Sequence, residues 1–140
     1  MPIEMIKDKW PGSVREVKIG ATAADGGTRA VSVVVGGEKA MPYMHFETPM
    51  PHRPLVAIEI KDRKPEDWSA PLLETWGNVV ENPAKGAKAA ETAGADLLQL
   101  TLSLTDAQGN PTTPEAAVAA VKAVLAASGL PLIVFGPGQA

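Results

Sequence analysis

The 140 residues include no cysteine, which excludes disulfides, thiolate nucleophiles, thiolate zinc sites and any iron–sulfur cluster held by this chain alone. Positive charge is also scarce. Lys and Arg number 13 against 16 Asp and Glu, giving a net charge of −3, and the basic residues are scattered rather than clustered. A chain with that balance has no field for steering onto phosphate backbones, so nucleic acid is not an expected partner. No apolar run approaches the roughly 18 to 20 residues of a membrane span, and the N-terminal MPIEMIKDKWPG lacks the apolar core of a signal peptide. These features predict a cytoplasmic protein without a membrane anchor. With two histidines and no cysteine, no catalytic triad is in view, and neither catalytic nor metal-ligating residues are assigned.

What is present changes character along the chain. From about Val14 to Phe46 the pattern is that of β-structure. Val14, Val17 and Ile19 make a short extended run, and Ala30 to Val35 is valine-rich. Gly36-Gly37 reads as the tight turn of a β-hairpin rather than a phosphate-cradling loop, because no helix start follows it. Asp25-Gly26-Gly27 reads as a second turn feeding the same hairpin. The proline-rich bridge Pro49 to Pro54 then rules out regular helix.

Strands and helices alternate beyond the bridge. Leu55 to Asp62 is a strand by its β-branched content, and a helical region leads to Asn82-Pro83, an N-cap and first-turn pair for a helix ending near Gly94. Asp96 to Leu104 is the second strand. Thr113-Pro114-Glu115 opens an amphipathic helix with Val118, Val121, Val124 and Leu125 on one face and Gly129 placed to stop it. Leu130 to Gly136 is the third strand. Short links between alternating elements predict a parallel sheet with right-handed crossovers.

The parity of the strands narrows the architecture. Val56, Ile58 and Ile60 oppose Ala57, Glu59 and Lys61; Leu98, Leu100 and Leu102 oppose Gln99, Thr101 and Ser103. A sheet covered on both faces reads as nearly continuous apolar runs, whereas a barrel has helices outside and polar residues in its lumen near the catalytic end. The expected fold class is therefore α/β. It is a partial (β/α) TIM-type barrel, with the first three parallel strands and two crossovers, preceded by an N-terminal β-hairpin. The expected division is residues 1–53 for the hairpin region and bridge, and 54–140 for the first β/α units. A complete barrel needs about 200 to 250 residues. The expectation is thus either a truncated barrel or one whose apolar edge at Leu132 to Phe135 another chain closes.

The order of short motifs resembles a known family. GAT at Gly20 to Thr22, GGTR at Gly26 to Arg29, VGGE at Val35 to Glu38 and FE at Phe46-Glu47 precede MPHRPLVAIEIKD at Met50 to Asp62. PEDW at Pro65 to Trp68, GADLLQL at Gly94 to Leu100, TPEAA at Thr113 to Ala117 and PLIVFGPG at Pro131 to Gly138 follow. Each is weak alone, but together they resemble the N-terminal part of the small subunit of the corrinoid iron–sulfur protein. Its archaeal counterpart is the delta subunit of the acetyl-CoA decarbonylase/synthase complex. The resemblance implies a barrel subunit paired with a large corrinoid- and cluster-bearing subunit. In that pairing cobalamin is held mainly by the partner, and this chain shelters it during methyl transfer in the reductive acetyl-CoA pathway. A methyltransferase and acetyl-CoA synthase are further implied partners. A competing expectation is an enzyme in its own right, a pterin-binding barrel that transfers the methyl group of methyltetrahydrofolate.

Candidate cofactor-facing residues follow from strand ends. Glu59 and Lys61 share a face and are expected to pair inside the lumen; a Schiff-base role for Lys61 is the sharper alternative. Thr101, Ser103, Thr105 and Asp106 lie at or past the end of the second strand, where barrels collect ligand contacts. Gly136 and Gly138 end the third strand on the same side and would let a ligand approach the backbone. His45 and His52 read as structural or solvated rather than as cobalt ligands, and Trp68 and Trp76 as packing residues. The loop Asp106 to Thr113 lacks the acidic density of a calcium loop and reads as a turn. With one apolar edge open, the chain expressed without a partner is expected to be unstable or to self-associate. Light scattering and thermal melting that found a monodisperse, cooperatively unfolding monomer would overturn this expectation.

Overall fold

A computed structural model describes residues 3–8, 10–105 and 109–136. The chain divides into two compact units, Met1–Ile19 with Val34–Pro54, and Gly20–Val33 with Leu55–Ala140. The elements run β1 (Val17–Ile19), β2 (Val33–Val35), β3 (Ala57–Lys61), α1 (Ala70–Trp76), α2 (Pro83–Thr92), β4 (Leu97–Thr101), α3 (Pro114–Ala127) and β5 (Leu132–Phe135). Short 3₁₀ turns occupy Ala23–Asp25, Pro42–Met44 and Gly77–Glu81. Among the described residues no helix is long and apolar enough to cross a membrane.

The first unit contains strand structure but little burial. β1 and β2 form a two-stranded antiparallel sheet. Gly36 and Gly37 do adopt positive φ, at 92° and 85°, but β2 before them pairs with β1 and the next strand is β3 in the other sheet, so they are not the hairpin turn expected there. The backbone explains why glycine sits there: a Cβ on Gly36 would lie 2.1 Å from the Arg15 carbonyl oxygen. Beyond these strands the Val14 N–H donates to the Glu38 carbonyl at 2.8 Å, and the Gly37 N–H to the Val14 carbonyl at 2.9 Å. Glu47 gathers a nearby loop by accepting from the Trp10 indole N–H at 2.9 Å and from the Asp8 N–H at 3.3 Å. His52 pairs with Glu16, and the His45 ring meets Phe46 edge-on, so both histidines have local partners.

The second unit is built on the parallel sheet β3-β4-β5. Register pairs Ile58 with Leu98 and Ile60 with Leu100, and then Leu98 with Leu132 and Leu100 with Val134, so the apolar residues of adjacent strands share one face. α2 and α3 cover that face. Ile60, Leu98 and Leu100 form one core with Ala87 and Ala90 of α2 and Val124 of α3, and Trp76, Ile58 and Val121 pack around it. α2 comes close because its inner face is small: a Cβ on Gly86 would stand only 3.2 Å from Ile60 Cγ2. The three strands do not close into a barrel.

Local signals set most of the helix ends. Asn82 caps α2 by accepting from the N–H groups of Ala84 at 2.9 Å and Lys85 at 3.1 Å, with Pro83 at the first turn. Thr113 caps α3 by accepting from the Ala116 N–H at 3.2 Å. Two expectations for α3 are corrected. Val118 is 51 % exposed, whereas Val124 is buried and Val121 packs against the core. Gly129 does not stop the helix with a left-handed turn. Ser128 is already extended there, and Gly129 is required instead by Ala30, whose Cβ would be 2.7 Å from an added Cβ.

Within this unit Arg29 ties the segment Gly20–Val33 to the end of α3. Its guanidinium donates to the carbonyls of Ser128 at 2.7 Å and Leu125 at 2.9 Å. A cation on the last carbonyls of a helix is favoured by both the hydrogen bonds and the helix dipole. Leu98 is fully buried at the centre of the core. Leu98→Ala is therefore expected to cost about 2–5 kcal/mol, read as a lower urea midpoint with the slope of the transition unchanged.

Candidate functional site

The covered face of the sheet leaves its opposite face to Glu59, Lys61, Gln99 and Thr101, with Ile133 and Phe135 following in register on β5. None of these side chains is buried, and Phe135 is 59 % exposed. At the C-terminal ends of β3 and β4 this face runs into a rim of loops. The chain leaves β3 as Lys61-Asp62-Arg63-Lys64 and leaves β4 through Ser103 to Thr105, so two adjacent parallel strands deliver polar groups to one place.

The expected Glu59–Lys61 pair is not made. Glu59 accepts instead from the Thr101 hydroxyl at 2.7 Å, a diagonal contact across the strand pair. Lys61 extends past the strand end and donates to Asp67 at 2.6 Å. Same-face residues two apart on an extended strand stand about 6.6 Å apart along it, and each of these side chains has a nearer partner. Held by the Lys61 ammonium, and next by its own backbone N–H, the Asp67 carboxyl titrates below its ordinary value.

Asp62 latches the two loops together. Both its oxygens are used by Ser103, one by the backbone N–H at 2.8 Å and the other by the hydroxyl at 2.6 Å. Arg63 adds a third link by donating to the Thr105 carbonyl at 2.8 Å, and Thr105 pairs as an antiparallel bridge with Pro111. A cavity of about 260 Å³ lies beside this latch, lined by Lys61, Arg63, Lys64, Pro65, Glu66, Asp67 and Ser103. Trp68 and Trp76 line a much smaller gap beneath β3, next to Gly86, in keeping with packing roles.

Of the residues expected from the sequence, Glu59, Lys61, Thr101, Ser103 and Thr105 thus gather at one end of β3 and β4. Gly136 follows β5 at the same end, where the Leu102 N–H donates to the Phe135 carbonyl at 2.9 Å. Gly136 has no positive φ and open space around its Cα, so no close approach demands glycine there. Asp106 and Gly138 lie outside the described residues. Asp62, Arg63 and Asp67 were not singled out by sequence reasoning, although the run KDRK directly after a strand is a signal that could have drawn attention to them. Among the described residues no three His, Asp or Glu side chains come together as a metal-binding group.

Comparison with known proteins adds a second line of observation. The sequence profile of the CO dehydrogenase/acetyl-CoA synthase delta subunit matches residues 16–139. The chain is 40 % identical over 137 residues to the acetyl-CoA decarbonylase/synthase complex subunit delta of Archaeoglobus fulgidus, covering 97 % of this chain and 30 % of that protein. It is 36 % identical over 132 residues to subunit delta 1 of Methanosarcina thermophila, covering 94 % and 30 % respectively. With subunit delta of Methanopyrus kandleri it shares 36 % identity over 129 residues, covering 91 % and 32 %. The chain spans about a third of the length of these relatives.

The Lys61–Asp67 pair has a pH signature. A depressed carboxyl contributes stability at neutral pH that is lost as pH falls through its folded value, below about 4. Because Asp67 is exposed, the stability effect is small, and carbon NMR of the carboxyl group is the direct readout. Lys61→Met is expected to return the Asp67 midpoint upward to the ordinary carboxylate range; an unchanged midpoint would show that the pair does not form in solution.

Proposed function

We propose, for a chain that belongs to the CO dehydrogenase/acetyl-CoA synthase delta-subunit family, a role in the subunit that docks on a larger corrinoid- and cluster-bearing subunit. There it covers the corrinoid during methyl transfer. The observation that carries this reading is the asymmetry of the parallel sheet. One face is covered by α2 and α3, while the other face carries the polar side chains Glu59, Lys61 and Thr101, none of them buried, toward the C-terminal strand ends.

The consecutive order β3-β4-β5, with both crossover helices in one core, is the arrangement of successive units of a β/α barrel, and supports a partial barrel whose polar face lines the lumen. Size decides how these residues would serve a corrinoid. The cavity of about 260 Å³ at the rim falls below the roughly 300–1,000 Å³ of pockets that enclose drug-sized ligands. A corrin ring with its amide arms is larger still. The residues fit an edge contact, so the corrinoid would be held mainly by the large subunit. When bound, the corrinoid supplies a cobalt that accepts and gives up methyl groups. This chain's part is to donate hydrogen bonds from Lys61 and Arg63 to the amide carbonyls and to keep water from one side. Ser103 is committed to Asp62 and acts by holding the rim in shape.

The test is size-exclusion chromatography with light scattering, following corrinoid absorbance, on the chain with and without the large subunit. Co-elution with the corrinoid peak is expected, and the double variant Lys61→Ala, Arg63→Ala is expected to weaken it at least tenfold. A folded chain that ignores the large subunit and binds methyltetrahydrofolate instead would replace this reading with the pterin-binding enzyme.

A further inference from the structure

We propose that the cavity between the β3 and β4 loops is a binding site for a phosphate group. This assignment stands apart from the corrinoid reading, although the two share Lys61 and Arg63. Three cations line the cavity, Lys61, Arg63 and Lys64, against two carboxylates, Glu66 and Asp67. Their commitments differ. Lys61 is already paired with Asp67 at 2.6 Å. Lys64 reaches Glu81 at 3.1 Å, but both of those side chains are more than half exposed, at 63 % and 53 %, and a solvated pair of this kind exchanges readily for a better anion.

Arg63 is the distinctive group. It is partly buried, and among the described residues its one hydrogen-bonding partner is a neutral carbonyl, that of Thr105. Among the described residues no carboxylate neutralises it. Asp62, next to it in the chain, has both oxygens occupied by Ser103. A guanidinium has five N–H donors in a planar fork, and one of its nitrogens is fixed here by a backbone carbonyl. The remaining donors are thereby oriented, with no partner among the described residues, which is the preorganisation that bidentate oxyanion recognition uses. A partly desolvated cation lacking a counter-charge is also costly, so an anion that completes it gains more than it would at an exposed lysine.

The position suits the chemistry. Parallel α/β sheets bind ligands beyond the C-terminal ends of their strands, and this cavity lies off the end of β3. Its volume of about 260 Å³ accommodates a phosphate with a few waters or one end of a larger phosphorylated molecule. The net lining charge of +1, three cations less two carboxylates, matches an anion of charge −1 to −2. Arg63 would clamp two phosphate oxygens, and Lys64 would leave Glu81 to reach a third.

Phosphorus NMR line broadening, which needs no assumption about oligomeric state, tests the site. Inorganic phosphate is titrated into the chain at constant ionic strength, with chloride as the balancing anion. Saturable binding is expected, weakened about tenfold or more in Arg63→Gln and about threefold in Lys64→Gln. Lys64 is exposed, so its variant guards against the case in which Arg63→Gln disturbs the latch; circular dichroism reports that the fold is kept. The source of the phosphate is read by repeating the titration with adenosine 5′-monophosphate. Binding at least tenfold tighter than inorganic phosphate marks the site for one end of a larger ligand, and equal binding marks it for the free ion. Broadening that does not saturate, or that is the same in wild type and both variants, would overturn the proposal. Corrinoid co-elution that survives such a result would leave the proposed function standing without this site.

Discussion

The second unit depends on the burial of β4 between its two parallel neighbours. Leu98 and Leu100 have no solvent exposure, and they lie in register with Ile58 and Ile60 on one side and Leu132 and Val134 on the other. A parallel strand cannot be reached by a tight turn, so each pairing requires a crossover, and both crossover helices come to rest on the same apolar face. The closeness of α2 follows from Gly86, Ala87 and Ala90, which bring backbone rather than long side chains against β3. A larger residue at any of the three would lift the helix from the sheet and open the core around Ile60.

From that one-sided burial comes the chemistry at the opposite face. A strand with one face covered turns its alternate residues to the other face, and toward the C-terminal ends of β3 and β4 these are a glutamate, a lysine, a glutamine and a threonine. Hydrogen bonds then link the two loops at the strand ends: Asp62 to Ser103, and Arg63 to the Thr105 carbonyl. The links span about forty residues of sequence and give the rim a defined shape although most of its atoms are near solvent. Arg29 does comparable service elsewhere in the unit by closing the C-terminus of α3.

The other unit is organised differently. None of its described residues is buried, and Trp10, Val14, Met41 and Tyr43 are each close to half exposed or more. Its order comes from backbone pairing and from polar contacts such as Glu47 with the Trp10 indole. A single strand pair of this kind is marginal by itself in water, which makes the unit sensitive to backbone detail such as the glycine required at position 36.

Much of this organisation was legible in the sequence. Strand parity around Ile58, Ile60, Leu98 and Leu100 assigned the buried face, and Asn82-Pro83 and Thr113-Pro114 marked helix starts whose caps are made as expected. These are local properties: a two-residue period or a capping side chain acts within a few residues of itself. The role of Gly129 could not be read, because it depends on Ala30, and that of Gly36 could not, because it depends on the Arg15 carbonyl. Nor could the pairing of charges. Glu59 and Lys61 look like natural partners in the sequence, yet one is taken by Thr101 and the other by Asp67. The sequence by itself determined which residues line each face of the strands and where the helices begin. Only the tertiary structure decided which polar groups satisfy one another at the strand ends, since hydrogen bonds require a few ångströms of separation and loops distant in sequence compete for the same donors and acceptors.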